Sequence, residues 1–204
     1  FAFREAIAIW PTTFFLFILS AAAVGPSFVL LITWLVSKIT RKQLVRKDVL
    51  QTLGRISGTL LIFYVLFKSL DTIVWMNKTS LATGSHPADF YAQQSFGWWL
   101  LLGEIAVLGL VPALILLNRN LRSRTGWLVT GAGLACAGIA VNRFVMTIQT
   151  LALPTLPFDA FVSYQPSWQE VATFLFVVAY GVVIYSLSFR YFNLFPQERE
   201  LVQS

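Results

Sequence analysis

Apolar residues along this chain come in five long blocks separated by short polar connections. The blocks cover approximately residues 10–37, 49–76, 96–117, 126–150 and 168–195. At about 1.5 Å of rise per residue, each is long enough to cross a hydrocarbon core roughly 30 Å thick. The pattern predicts an all-α membrane protein in which about five transmembrane helices form a single bundle over residues 1–204.

The polar exceptions inside the blocks carry most of the information. Helix one opens at Trp10-Pro11, an indole suited to the headgroup level followed by a proline suited to a first helical turn. Gly25-Pro26 lies in its middle, where a missing amide donor predicts a kink, and Ser20, Ala21, Ala22 and Ala23 permit close approach by a neighbour. Helix two holds Arg55 near its start, where a long side chain can snorkel to the interface; with Ser57 it is also a candidate mouth for a proton path. Further along, Tyr64, Lys68, Asp71 and Trp75 recur at intervals of four, three and four residues, which is one stripe of a helix. Helix three carries Glu104, with Pro112 in its second half. Helix four is rich in Gly and Ala (Gly131, Gly133, Ala135, Ala137, Gly138, Ala140) and predicts a small packing face, followed by Asn142 and Arg143. Ser167-Trp168-Gln169-Glu170 is a capping box that should open helix five.

Charge adds topology and removes several functions. Hydrophobic residues make up 57% of the chain and charged ones 12%, with a mean hydropathy of +0.71; a soluble domain carries about twice that charged share. The net charge of +6 comes from connections: Lys38, Arg41, Lys42, Arg46 and Lys47 follow helix one, and Arg119, Arg122 and Arg124 follow helix three. The connections after helices two and four are nearly neutral. Basic connections on one side and nearly neutral ones on the other predict an outside start and a cytoplasmic C-terminus, and charge used in this way to encode topology argues against nucleic-acid binding. Cys136 is the sole cysteine and His86, in the connection after helix two, the sole histidine. This chain alone therefore supplies no disulfide, thiolate metal site, iron–sulfur cluster or bis-histidine haem. The chain starts at Phe1 and shows no leader pattern before its first helix, so it is read as part of a larger subunit.

With the sides assigned, depth follows from helical rise. Lys68, Asp71, Glu104 and Arg143 all fall very roughly 7 to 12 Å below the outer boundary, two acids with two bases, and Asn142 adds a neutral donor and acceptor. Charges at such depth usually face a bundle interior. The layer has two readings: an ion-pair network that fixes helix register, or a proton path or quinone-headgroup site built from Glu104, Asp71, Lys68, Arg143, Asn142 and Tyr64. Glu104 is the best candidate for a group that changes protonation, since nothing on its own helix neutralises it.

Several motifs then point to a family. Trp10-Pro11 with Phe14-Phe15 and the Ser20–Gly25 run, Leu53-Gly54-Arg55 with Asp71, Gly103-Glu104 before Gly109 and Pro112, Asn142-Arg143-Phe144, and Tyr164-Gln165-Pro166-Ser167-Trp168-Gln169-Glu170 together resemble the NrfD/PsrC family, the membrane subunits of polysulfide reductase-like complexes. The last motif is similar to the branch found in quinone-linked hydrogenase, Qrc-type and Dsr complexes, and the chain resembles its C-terminal half. The resemblance implies a subunit of a prokaryotic cytoplasmic (inner) membrane complex, active in anaerobic respiration. Such a subunit binds menaquinone or ubiquinone, carries no haem or iron–sulfur cluster, and exchanges electrons with an iron–sulfur partner subunit, in some relatives with proton translocation. Glu104, Asp71 and Arg143 match charged family positions in the second bundle; Lys68 is not assigned to a family pattern. Two other functions stand beside this one, a proton-coupled transporter with breaks at Gly25-Pro26 and Pro112, and a passive anchor for a redox partner.

Overall fold

The computed structural model describes residues 12–79, 102–152 and 166–192. Trp10-Pro11, His86, residues 96–101, Tyr164-Gln165 and the residues after 192 lie outside the described residues. The described chain is all helix and turn. We number the long helices α1 (Thr13–Thr40), α2 (Lys47–Val74), α3 (Leu102–Leu117), α4 (Thr125–Ala152) and α5 (Trp168–Tyr191). α1, α2, α4 and α5 are each long and apolar enough to cross a membrane. The architecture is an all-α membrane bundle of several spans.

Each inner helix buries one stripe at alternating steps of three and four residues. On α2 it runs through Gly54, Ser57, Leu61, Tyr64, Lys68 and Asp71, and it continues to Trp75 at the start of the π-turn Trp75–Thr79 that extends the helix. On α4 it runs through Leu128, Gly131, Ala135, Gly138 and Asn142, and on α1 through Leu16, Ser20, Ala23, Ser27 and Leu30. This is the spacing that keeps side chains on one side of a helix. α1 packs along α2 and α4, while α3 packs between α2 and α4. The opposite faces present Phe14, Phe28, Phe63, Leu70 and similar residues outward, as a bilayer requires.

Close approach is set by residue size. Leu116 of α3 is fully buried, and a Cβ on Gly58 would come within 2.9 Å of its Cβ and 3.3 Å of the Ala113 carbonyl. On the other flank, a Cβ on Gly138 of α4 would run into the Leu108 carbonyl. The small face expected on helix four thus forms, through Gly131, Ala132, Ala135 and Gly138, while Ala137 and Ala140 face outward.

Proline acts differently in α1 and α3. α1 continues through Pro26 as a helix of 28 residues and extends to Thr40, three residues past the expected end. It stops where Arg41 takes φ 56°, the left-handed conformation usual at helix ends but commonly glycine's; for another residue it costs about 1–2 kcal/mol. In α3 the helix widens to a π-turn over Ala106–Leu110, closed by the Val111 amide bonding to the Ala106 carbonyl, directly before Pro112. Pro112 has no amide to offer the Leu108 carbonyl, and the wide turn absorbs that loss.

α5 begins at Trp168 as the capping box predicts: the Glu170 amide donates to the Ser167 hydroxyl, and the Ser167 amide donates to the Glu170 carboxylate at 2.7 Å. None of its residues is buried.

Candidate functional site: a buried carboxylate between three helices

Glu104 lies two residues into α3 and is 2% exposed. Its Oε1 accepts two hydrogen bonds from the flanking helices, from the Tyr64 hydroxyl of α2 at 2.8 Å and from Asn142 Nδ2 of α4 at 2.9 Å. Its Oε2 is buried without a hydrogen-bond partner among the described residues. Both donors come from the interior stripes of their helices, so packing of α3 against α2 and α4 assembles the trio. The π-turn starts just after Glu104 and tightens to α-helix at Val111, so the irregular backbone adjoins the carboxylate.

Lys68, one turn along α2 from Tyr64, is 1% exposed and lies within electrostatic range of Glu104, Asp71 and Arg143. Burial of a single charge in an apolar bundle costs several kcal/mol after relaxation. A nearby opposite charge and two neutral donors on the carboxylate offset that cost.

Asp71 and Arg143 turn toward α1. The Asp71 Oδ1 accepts the Thr12 amide at 3.0 Å, tying the start of α1 to α2, while its Oδ2 is buried with no hydrogen-bond partner among the described residues. Arg143 donates through Nη2 to the Ser20 hydroxyl at 2.9 Å and to the Phe17 carbonyl at 3.3 Å, and its guanidinium stacks 3.3 Å from the Phe17 ring centroid. Asn142 and Arg143 are adjacent in sequence, but about 100° of helical rotation separates them. One side chain serves α3 and the other α1.

The expected layer therefore divides. Tyr64, Glu104 and Asn142 form one hydrogen-bonded group with Lys68 in range, and Asp71 and Arg143 form two anchors on α1. The Arg55 and Ser57 pair also separates: Arg55 is exposed, whereas Ser57 is buried, bonded to the Ser27 hydroxyl at 2.6 Å and the Ala23 carbonyl at 2.5 Å. Among contacts the sequence reading missed, the Ser27–Ser57 pair had a signal, since both serines fall on their helices' buried stripes. Thr12 had none, because its backbone amide makes the contact.

Chemically, the trio separates two tasks. Tyr64 and Asn142 hold Oε1 in place whether or not the carboxyl is protonated, and Oε2 can gain or lose a proton without breaking either bond. Among the described residues no group of three or more His, Cys, Asp or Glu side chains is placed to hold a metal ion.

The chain is 42% identical over 202 residues to the integral membrane subunit of menaquinone reductase from Nitratidesulfovibrio vulgaris. The match takes in 98% of this chain and 48% of that protein, so the chain spans about half the length of the curated relative it matches. No protein-family model matches the chain, and no solved structure matches it.

Proposed function

We propose that this chain is part of the membrane subunit of a prokaryotic respiratory complex that exchanges electrons between the quinone pool and an iron–sulfur partner, with Glu104 as its proton-exchanging group. The similarity to a menaquinone reductase membrane subunit over 98% of the chain supports the class of protein. The NrfD/PsrC-type motifs point the same way. For the residue, the observation that carries the reading is the Glu104 carboxylate, 2% exposed, with Oε1 doubly bonded and Oε2 unpartnered. An orphaned acceptor in a buried site is the chemistry that a quinol hydroxyl or a relayed proton needs.

Menaquinone or ubiquinone would supply a two-electron, two-proton couple. In this reading Glu104 Oε2 takes or gives a proton, Tyr64 and Asn142 keep the carboxylate aimed, and Lys68 balances its charge. In the same reading the electrons pass between the quinone and the iron–sulfur partner subunit. The basic loops support a cytoplasmic C-terminus in the inner membrane. Net proton translocation would require a continuation of the path from Glu104 across the bundle.

Glu104→Gln tests the assignment. It preserves the shape and an acceptor oxygen for Tyr64 and Asn142 but removes the exchangeable proton. Quinone-linked turnover should fall by about 10²-fold or more, the scale of general acid–base catalysis, with the complex still assembled. Full turnover in that variant would return the carboxylate to a structural role.

A structural role is favoured for Asp71 and Arg143 by their contacts. Both bind α1 through Thr12, Phe17 and Ser20, and neither hydrogen-bonds to Glu104.

A further inference from the structure

The loop after α1 and the turn after α3 meet at the end of the bundle remote from Glu104, some 20 Å away along α3 at about 1.5 Å per residue. Between them lies a cleft of about 400 Å³. Lys38, Arg41, Lys42 and Lys47 line it from the end of α1, the loop and the start of α2, and Arg122 lines it from the turn after α3; among the described residues no carboxylate lines it. The nearest acid in sequence, Asp48, is held in an exposed ion pair with Arg46 at 3.1 Å.

We propose that this cleft binds the phosphate of an anionic phospholipid headgroup. Basic loops alone need no ligand, because charge bias suffices to orient a membrane protein. What exceeds that need is enclosure, with cations from two separate connections brought into one concavity. Arg122 shows the cost of the arrangement. Its Nη1 caps the end of α3 on the Leu116 and Leu117 carbonyls at 2.8 and 3.2 Å, but its Nε is buried with no hydrogen-bond partner among the described residues. Burial, and then the like charges of Arg55 and Arg119, lower its proton affinity from the ordinary value. A phosphate oxygen would relieve both the repulsion and the unpaired donor.

A lipid fits better than a free anion because the walls are amphipathic. Trp34 lines the cleft, and Lys38 sits 5.0 Å above its ring, an arrangement typical of the headgroup level. Leu50 and Leu128 form apolar wall, and Leu35 and Ile39, one residue on from Trp34 and Lys38, are exposed along α1 where acyl chains would run. Basic pockets between transmembrane helices on the cytoplasmic side are established lipid-headgroup sites in general. The inference is independent of the redox role.

The test uses the native membrane assembly, wild type and Arg122→Gln, delipidated and reconstituted with phosphatidylglycerol, cardiolipin or phosphatidylcholine. Because Arg122 also holds the end of α3, Lys38→Gln serves as a second variant. Wild type should retain the anionic lipids and not phosphatidylcholine, and each substitution should weaken that retention about fivefold, the worth of one basic residue near a membrane surface. Equal retention in wild type and both variants overturns the proposal. So does full competition by inorganic phosphate, which would mark a soluble-anion site. Loss of an acidic partner protein with unchanged lipid would mark a protein-docking site and overturn it equally.

Discussion

The Tyr64 hydroxyl donates to Glu104 Oε1 at 2.8 Å, and this bond joins α2 to α3 at the level where α3 widens. Asn142 donates to the same oxygen from α4, so the two donors share one acceptor. Tyr64→Phe and Asn142→Leu should each lower quinone-linked turnover, leaving the carboxylate with one donor. A hydrogen bond to a charged group contributes about 1.5–3 kcal/mol. The double variant should lose more than the two effects summed, because a buried carboxylate with no donor is left with Lys68 alone for support. A double-mutant cycle on turnover and on thermal stability checks this; strict additivity would mean that the donors do not act through one oxygen.

Asp71 is expected to behave as an anchor. Asp71→Asn keeps an acceptor for the Thr12 amide, so thermal stability and turnover should stay close to wild type. Asp71→Leu removes the acceptor of the part-buried bond from the Thr12 amide, at a cost of about 1 kcal/mol. Thermal unfolding of the purified assembly measures the difference. Loss of turnover in Asp71→Asn with intact stability would place Asp71 in the proton path instead.

These two outcomes mark the boundary of what could be read from the chain. Periodicity located the α2 stripe of Tyr64, Lys68, Asp71 and Trp75, and all four are buried because a strict three-and-four spacing leaves little choice of face. The capping box placed the start of α5 because its two reciprocal bonds are local. Depth in the membrane brought Arg143 to the level of Glu104, but depth carries no azimuth, and the neighbouring Asn142 points to α3 while Arg143 points to α1. The partner of Asp71 was illegible for another reason: a backbone amide has no letter in the sequence. Pro112 did signal a local break, yet a missing donor can produce a kink, a stop or a π-turn, and the letter alone does not choose among them. As for α5, an apolar segment long enough to span a membrane says nothing about which helix, if any, covers it.

Arg143 is expected to need its guanidinium and not only its charge. One planar group bonds Ser20 and the Phe17 carbonyl while lying on the Phe17 ring. A lysine ammonium cannot do all three, since it lacks the flat fork and the stacking face. Arg143→Lys should therefore destabilise the α1–α4 contact by about 1–2 kcal/mol, from the lost charged hydrogen bond and weakened cation–π contact. Limited proteolysis near the start of α1, or hydrogen exchange of its first turns, would detect the loosening. Protection equal to wild type would show that charge alone holds the contact.

Gly138 links packing to the site most directly. It precedes Asn142 by one helical turn on the same buried stripe of α4, and its hydrogen faces the Leu108 carbonyl, where a methyl group cannot fit. Gly138→Ala must push α4 away from α3 or force Leu108 to shift, and overpacking of this kind costs about 1–3 kcal/mol. The displacement acts through a backbone carbonyl, which has no rotamer by which to yield. Asn142 moves with α4, so its 2.9 Å bond to Glu104 should lengthen and turnover should fall in step with stability. At Gly133, by contrast, a Cβ would meet no atom within 4 Å, so Gly133→Ala should leave both nearly unchanged. Melting temperature and quinone-linked turnover measured on the two alanine variants side by side decide the matter: equal behaviour would remove the close contact at Leu108 as the determinant of the Glu104 geometry.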